Sequence, residues 1–565
     1  MIKGIIKWFK SMWSSTEVEI QNLHVGPRGT NSFTQIYLND PVHPELTINE
    51  REPIKTALQM HSLGEMGSGY PLGSLQQQAS ALKIVVNNVL IFMSQRSGRN
   101  ISNWAATQSL ALMPRAGSDV NAYYDRGSLR FFFFEDNKKT IYSCDARPVV
   151  THEFGHAFLD ILRPDWWSVQ AIEVWSFHEA FGDMTAVLHA LQYEKLIDHA
   201  IEETKGDLTK SNVISRLGEQ MGIGLYNITN GKNGIMPNCL RDVTHFFQYV
   251  EPEKLPSKGR DNELLSESHS FARVFTSAFW QIIVKIALQE VDNGENLRDA
   301  LKISRDVFAN YLLKAVQQVP TCTRLYNAIA NQMILIDESS GGKYGKILNE
   351  VFGRHKIISQ KILMLQNIEF DDFLKKNTDP YEIIDENDYK IIRTTSNQVF
   401  KLSEKLGDVK SLEDNPLFEL EIEVPSQNSF YFLKNNLVKT LELDQNEIVD
   451  SAYACLKMLH ENDLVGNNDN SLFEKINGKL VRKKIICKCG KPNYCDSNAP
   501  EYGKPWKPAN NSGCTSCYNK DCKPQSCDCV EPAPPTPPKN GCYTSVKSGC
   551  RTTYRFGGTA SRKVC

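Results

Sequence analysis

A chain of 565 residues is too long for one hydrophobic core and predicts three or four domains. Its composition, 41% hydrophobic and 23% charged, is globular. A net charge of −2 excludes whole-chain attraction to nucleic acid, and no apolar run reaches membrane-spanning length.

The opening "MIKGIIKWFKSMW" interleaves Lys3, Lys7 and Lys10 with Ile5, Ile6, Trp8, Phe9 and Trp13. Its apolar stretch is too broken for a signal-peptide core, and no small-residue cleavage site follows. A helix docked on the protein's own body is the favoured reading; a basic amphipathic helix on a membrane surface is the alternative. Residues 14–75 alternate apolar and polar in short runs ("VEIQNLHV", "FTQIYLN", "ELTINE") and predict strands and loops. "LGSLQQQASALKIVVNNVLIFMSQRSG" predicts a helix, and "SLALMPRAG" a strand. In "SDVNAYYDRGSLRFFFFED" the Asp125–Gly127 turn separates two strand-like runs, which suggests a hairpin.

Helices are expected to dominate residues 148–370, with strong periodicity in "HSFARVFTSAFWQIIVKIALQEV" and "LRDALKISRDVFANYLLKAVQQV". From 371 to 486 the pattern mixes. "NEIVDSAYACLKMLHENDLV" reads as a helix and "FEKINGKLVRKKII" as a hairpin turning at Asn477-Gly478. An α+β packing domain is favoured there over a winged module.

The last stretch, 487–565, holds eleven of the fifteen cysteines and no Leu, Ile or Met, so it cannot bury an ordinary core. Its twelve basic and five acidic side chains leave +7, and "VEPAPPTPPKNG" is a semi-rigid spacer within it. Disulfides are the favoured cross-links; additional structural zinc on its C-x-x-C and C-x-C pairs is the alternative. The chain thus reads as four parts: a mixed α/β part (1–147), a helical part (148–370), a small α+β domain (371–486) and a cysteine-rich, basic, irregular tail (487–565).

The chemistry concentrates in "VVTHEFGHAF", residues 149–158. On a helix, His152 and His156 share a face, with room for one zinc between them. Asp145 and Pro148 are start signals upstream, and Pro164 stops the helix. Glu153 sits beside the first histidine, within reach of an attacking water. Such a pentapeptide arises by chance in on the order of 2% of chains this long, so its surroundings must decide. The bland reading is two histidines satisfied by hydrogen bonds on a half-buried face. A catalytic zinc needs three protein ligands and an open position. A third histidine six residues on is missing, because Leu162 stands there. "SFHEAFGDMTAVLHAL" offers Glu179, twenty-three residues after His156, with Asp183 one turn further to accept a hydrogen bond from a ligand imidazole. Glu173 is the competing third ligand, and His178 and His189 are expected to be structural or surface residues.

These stretches resemble the thermolysin-like gluzincin metallopeptidases and the related fungalysin group, over about a third of the chain between residues 80 and 290. The resemblance implies a thermolysin-like fold, a zinc-dependent endopeptidase acting on protein or peptide substrates, and one catalytic zinc on His152, His156 and Glu179. It implies Glu153 as general base and Asp183 behind the ligands. "NAYYDRGSLRFF" resembles the edge strand over the cleft, giving Asn121 and Ala122 the task of holding substrate as an added strand. "NCLRDV" points to Arg241 as the clamp on a substrate carbonyl. "ESHSFARVF" points to His269 as an oxyanion stabiliser, 28 residues later.

Two departures stand out. The family's second oxyanion donor, a tyrosine about a dozen residues after the second zinc histidine, is replaced by "RPDWWSVQ", where Trp166 and Trp167 are expected to pack, an indole N–H donor being the alternative. The usual signal peptide and prosegment are not legible, so extracellular release without a classical signal is the expected route, with the cytoplasm as alternative. A second class of function is a weak or inactive peptidase-like protein that acts through its tail on a surface or partner protein.

Overall fold

The computed structural model describes residues 33–482, apart from residue 52 and residues 54–56, 62–69, 137–138, 233–234, 359–362, 367–380, 387–388, 395–396, 407–414, 426–427, 435–436, 443–444 and 467–470. The opening segment 1–13, the run "VEIQNLHV" and the tail 487–565 lie outside the described residues. Helix and sheet are mixed along the rest.

β1 (Phe33–Tyr37) and β2 (Thr47–Arg51) pair antiparallel, and the period-2 alternation of β1 sends Thr34 and Ile36 inward. A second sheet has the order β3-β4-β6-β5. In it β3 (Met60–His61), β4 (Leu110–Met113) and β6 (Ser128–Phe131) run parallel, while β5 (Ala122–Tyr124) returns antiparallel along β6. The expected hairpin is there. Arg126 takes a left-handed φ of 69°, and Asp125 Oδ1 accepts the Gly127 and Ser128 amides and the Ser128 hydroxyl. The run after it is two strands rather than one: β6 ends at Phe131, and β7 (Phe133–Glu135) pairs instead with β8 (Thr140–Tyr142). α1 (Leu75–Ser97) starts where the Ser74 hydroxyl accepts the Gln77 amide and stops at left-handed Gly98.

The helical body comprises α2 (Arg147–Leu162), α3 (Ile172–Ala190), α4 (Glu194–Thr204), α5 (Glu219–Thr229), α6 (Ser268–Asp292), α7 (Leu297–Gln318), α8 (Leu325–Ser339) and α9 (Gly345–Arg354). Between α4 and α6 lies a short ladder of β9 (Arg216–Leu217) and β10 (Arg241–Asp242). α3 packs on both α2 and α6 and is buried nearly all round. Contrary to the sequence expectation, one helix among the described residues, α6, is long and apolar enough to cross a membrane, but most of it is buried inside the protein. Its Phe271, Phe275, Phe279, Ile282 and Ile286 are fully buried, each contributing about 1.5–3 kcal/mol of transfer free energy.

α2 and α3 cross at two glycines. A Cβ on Gly155 would stand 2.8 Å from the Gly182 Cα, and one on Gly182 would stand 2.6 Å from His152 Nδ1. Only glycine permits this approach, and it places the inward residues of the two helices opposite one another.

The C-terminal part holds two sheets. One, ordered β11-β17-β16-β13-β12, is antiparallel throughout: β11 (Leu363–Gln366), β12 (Tyr381–Glu386), β13 (Tyr389–Thr394), β16 (Asn428–Lys434) and β17 (Leu437–Glu442). The other, ordered β14-β15-β19-β18, contains β14 (Gln398–Lys401), β15 (Glu421–Val424), β18 (Phe473–Ile476) and β19 (Lys479–Arg482), beside α10 (Leu402–Leu406) and α11 (Gln445–Glu461). The Asn477-Gly478 turn is formed, with both φ angles positive at 49° and 77°. This part grips the loop between α2 and α3 and the first turn of α3. The Gln170 amide donates to the Glu423 carbonyl at 2.8 Å, the Glu423 amide donates to Gln170 Oε1 at 2.6 Å, and Trp175 stacks on Phe473 at 5.1 Å.

Candidate metal centre

α2 starts at Arg147-Pro148, where proline costs no hydrogen bond. Asp145 does not cap it: its Oδ2 accepts Gln78 Nε2 at 3.0 Å, and Ala146 holds the capping position. The helix ends before Pro164, where the Arg163 side chain donates to the Val316 carbonyl at 3.0 Å and ties the end to α7.

His152 and His156 project from α2 with ring centroids 4.8 Å apart and edge-on at 88°. From α3, Glu179 brings Oε2 to 3.3 Å from His152 Nε2 and Oε1 to 3.7 Å from His156 Nε2. One donor atom from each of the three residues lies within 4.8 Å of the other two. Behind them, Asp183 Oδ1 is 2.9 Å from His152 Nδ1, so this carboxylate fixes the imidazole with Nε2 facing Glu179. Glu179 Oε2 is buried and accepts no well-formed hydrogen bond from the described residues. Two imidazoles and a carboxylate with an unsatisfied buried oxygen fit a divalent cation.

The electrostatics agree. Burial and the Arg241 charge oppose protonation of His152, yet the Asp183 and Glu179 carboxylates beside it win and lift its pKa to about 9. Burial keeps His156 well below its ordinary value. Glu179 is held well below the carboxylate range: burial opposes ionisation, but the charges of His269 and His156 outweigh it. Burial raises Glu153, on the same helix, to about 7.

Two further side chains, His269 and Arg241, adjoin the cluster. His269, at the start of α6, places Nε2 3.2 Å from Glu179 Oε2 and Nδ1 2.6 Å from Glu267 Oε1. Its pKa is raised: burial works against protonation, and Glu179 and Glu267 prevail. Arg241, in β10, reaches Asp183 Oδ1 with Nη2 at 2.9 Å, while its Nε and Nη1 are buried without a hydrogen-bond partner among the described residues. Arg241 and His269 also line a cavity of ≈ 350 Å³ with Met236, Leu240, Phe247 and Arg273. Asn121 and Ala122 are buried at the start of β5, the edge strand of its sheet. β5 is pinned across α2 by the Tyr124 hydroxyl, 2.9 Å from Asp160 Oδ2.

Other candidates fall elsewhere. Glu173 is buried in its own network, accepting the Tyr249 hydroxyl at 2.7 Å and the Tyr326 amide at 3.0 Å, and is not among the three clustered donors. His178 stacks on His156 at 6.0 Å, and burial followed by the Arg482 charge pushes its pKa down to about 3. His189 is fully buried, its ring edge-on to Tyr193. Trp166 packs wholly inside, its edge against Phe177.

Two residues at the site escape sequence reasoning. Glu267 orients His269 and also caps α6 through the Ser270 amide; the Glu-x-His spacing was the available signal. Arg482 comes from β19, more than three hundred residues after the histidines. Its guanidinium lies 4.0 Å over the ring of Trp167, which itself stands edge-on to His178 at 6.2 Å. Burial lowers Arg482 to about 10, and the nearby Glu179 and Asp160 carboxylates support its charge. No local pattern could place it there. No protein-family model and no curated protein matches the chain.

Proposed function

We propose that the protein is a zinc-dependent endopeptidase of the thermolysin-like gluzincin type, with that fold between about residues 80 and 290. One observation carries the reading: His152, His156 and Glu179 converge from two helices beside a buried carboxylate, Glu153, on the first. When bound there, zinc supplies a Lewis acid that polarises the scissile carbonyl and acidifies the attacking water.

The chain's own residues do the rest. Glu153 takes the proton of the water and delivers it to the leaving amine; a pKa raised by burial toward neutrality suits both transfers, and a cation at the ligands draws it lower. The outer edge of β5 holds the substrate as an added strand through Asn121 and Ala122. Arg241 is fixed by Asp183 through Nη2 and offers Nε and Nη1 to a substrate carbonyl. His269, oriented by Glu267, donates to the developing oxyanion. Trp167 stands eleven residues after His156, where the family has its tyrosine, and the Arg482 guanidinium above it is the replacement donor. The cavity beside Arg241, with Met236, Leu240 and Phe247 on its walls, accepts an apolar side chain next to the scissile bond.

The test pairs elemental analysis with casein cleavage before and after chelation. Loss of cleavage with the metal, and its return on adding Zn²⁺, is the expected result. Metal-free protein that cuts casein as fast as the loaded form refutes the reading.

A further inference from the structure

A second group of ligating side chains lies outside this centre. His43 is on the connector between β1 and β2, Glu45 is two residues on, and His199 is on α4. One donor atom from each lies within 4.8 Å of the other two. The two imidazoles stand edge to face, centroids 5.6 Å apart at 66°, an arrangement like that of His152 and His156.

We propose that His43, Glu45 and His199 form a second, solvent-facing site for a divalent cation of the class that prefers imidazole, Zn²⁺ among them. Two nitrogens and one carboxylate oxygen are the donors such ions select over Mg²⁺ or Ca²⁺. The ring of His43 is already aimed. Its Nε2 lies 2.8 Å from Glu219 Oε2, which leaves Nδ1, 3.4 Å from Glu45 Oε1, on the side of the other donors. Glu219 is buried and held in turn by Arg216 Nε at 2.5 Å and Asn39 Nδ2 at 3.2 Å. An outer carboxylate behind a ligand histidine fixes the tautomer and makes the free nitrogen more basic. The connector is also clasped to α4: Lys195, one turn before His199, donates to the Glu45 carbonyl at 2.6 Å. Ligands from two segments are therefore held together before any ion arrives. Glu45 is 57% exposed, so water can complete the coordination. Bound metal here clips the β1–β2 connector to α4.

This site is independent of the peptidase reading. Full-length protein is stripped with chelator, reloaded with Zn²⁺ and freed of unbound metal, and zinc per chain is counted. The parent is compared with His199→Ala, His156→Ala and the double variant. His199→Ala is expected to lose one equivalent, His156→Ala a different one, and the double variant both. Tail cysteines are common to all four proteins and cancel. Glu45→Gln, at an exposed position that leaves the fold alone, is expected to weaken the same equivalent at least tenfold. If His199→Ala and Glu45→Gln both keep the parent's zinc count and affinity, the second site is refuted. If His199→Ala loses an equivalent and His156→Ala loses none, the second site stands and the peptidase reading fails.

Discussion

Two His-His-Glu clusters sit among the described residues, and their difference bears on which of them suits the proposed chemistry. At His152, His156 and Glu179 the side chains are no more than 14% exposed and are enclosed by groups from three other elements: Arg241 on β10, His269 on α6 and Arg482 on β19. At His43, Glu45 and His199 the carboxylate is open to water, and the surroundings consist of supports for His43. Charge interactions strengthen as water is excluded, so at the first cluster the donors and their neighbours act on one another strongly, and burial there raises Glu153 to about 7. The first arrangement suits the proposed hydrolysis, and the second suits the proposed binding of a cation.

The sharpest way to break this contrast is Glu153→Gln. It is expected to lower casein cleavage about 10²–10⁴-fold while bound metal stays constant. Undiminished cleavage would remove Glu153 from its role as base. Arg482→Ala comes next, with an expected loss of about 10²-fold in kcat and little change in KM, partly restored in Arg482→Lys. The zinc count at His43 and His199 should not respond; a variant as active as the parent would reduce Arg482 to a packing residue. Asp183→Asn keeps the shape behind His152 but not the charge. Metal affinity of the buried cluster should fall about 10–100-fold, measured by competition with a chelator, and the exposed cluster should be unaffected.

The smallest effect is on stability, beneath the exposed cluster. Asp40 is buried and accepts the Gln220 and Val42 amides through Oδ1, while burial, followed by the Glu219 charge, raises its pKa to about 7. The folded value is above the unfolded one, so the unfolded chain binds fewer protons, and the stability Asp40 contributes is lost as pH rises from about 4 to about 7. Asp40→Asn should melt ~5 °C or more above the parent at pH 8, with the gap closing as pH falls toward 4. A gap that does not change with pH would contradict the assignment.

Local patterns carried much of the fold. The periodicity of α6 and α7, the Pro164 stop after α2 and the Asn477-Gly478 turn are each written within a few residues. The i, i+4 histidines and the Glu179-to-Asp183 spacing were legible because a helix converts sequence distance into direction. Other features were not, for reasons that lie in tertiary contact. Asp145 looks like a helix cap, but Gln78 on another helix claims its carboxylate. Glu173 competes with Glu179 on paper, and only the Tyr249 and Tyr326 partners show its carboxylate engaged elsewhere. Arg482 reaches the centre because β19 docks beside the α2–α3 loop, and His43 meets His199 across more than 150 residues of chain.

The bare crossing at Gly155 and Gly182 has a mechanical consequence. Where these two helices meet, the main chain at Gly155 rests on the main chain at Gly182, and the His152 ring lies directly against Gly182. The spread of the donor triangle is therefore gauged by the stiffest part of the molecule. Drift in the surrounding aliphatic and aromatic filling would loosen the whole body before it detuned that spread.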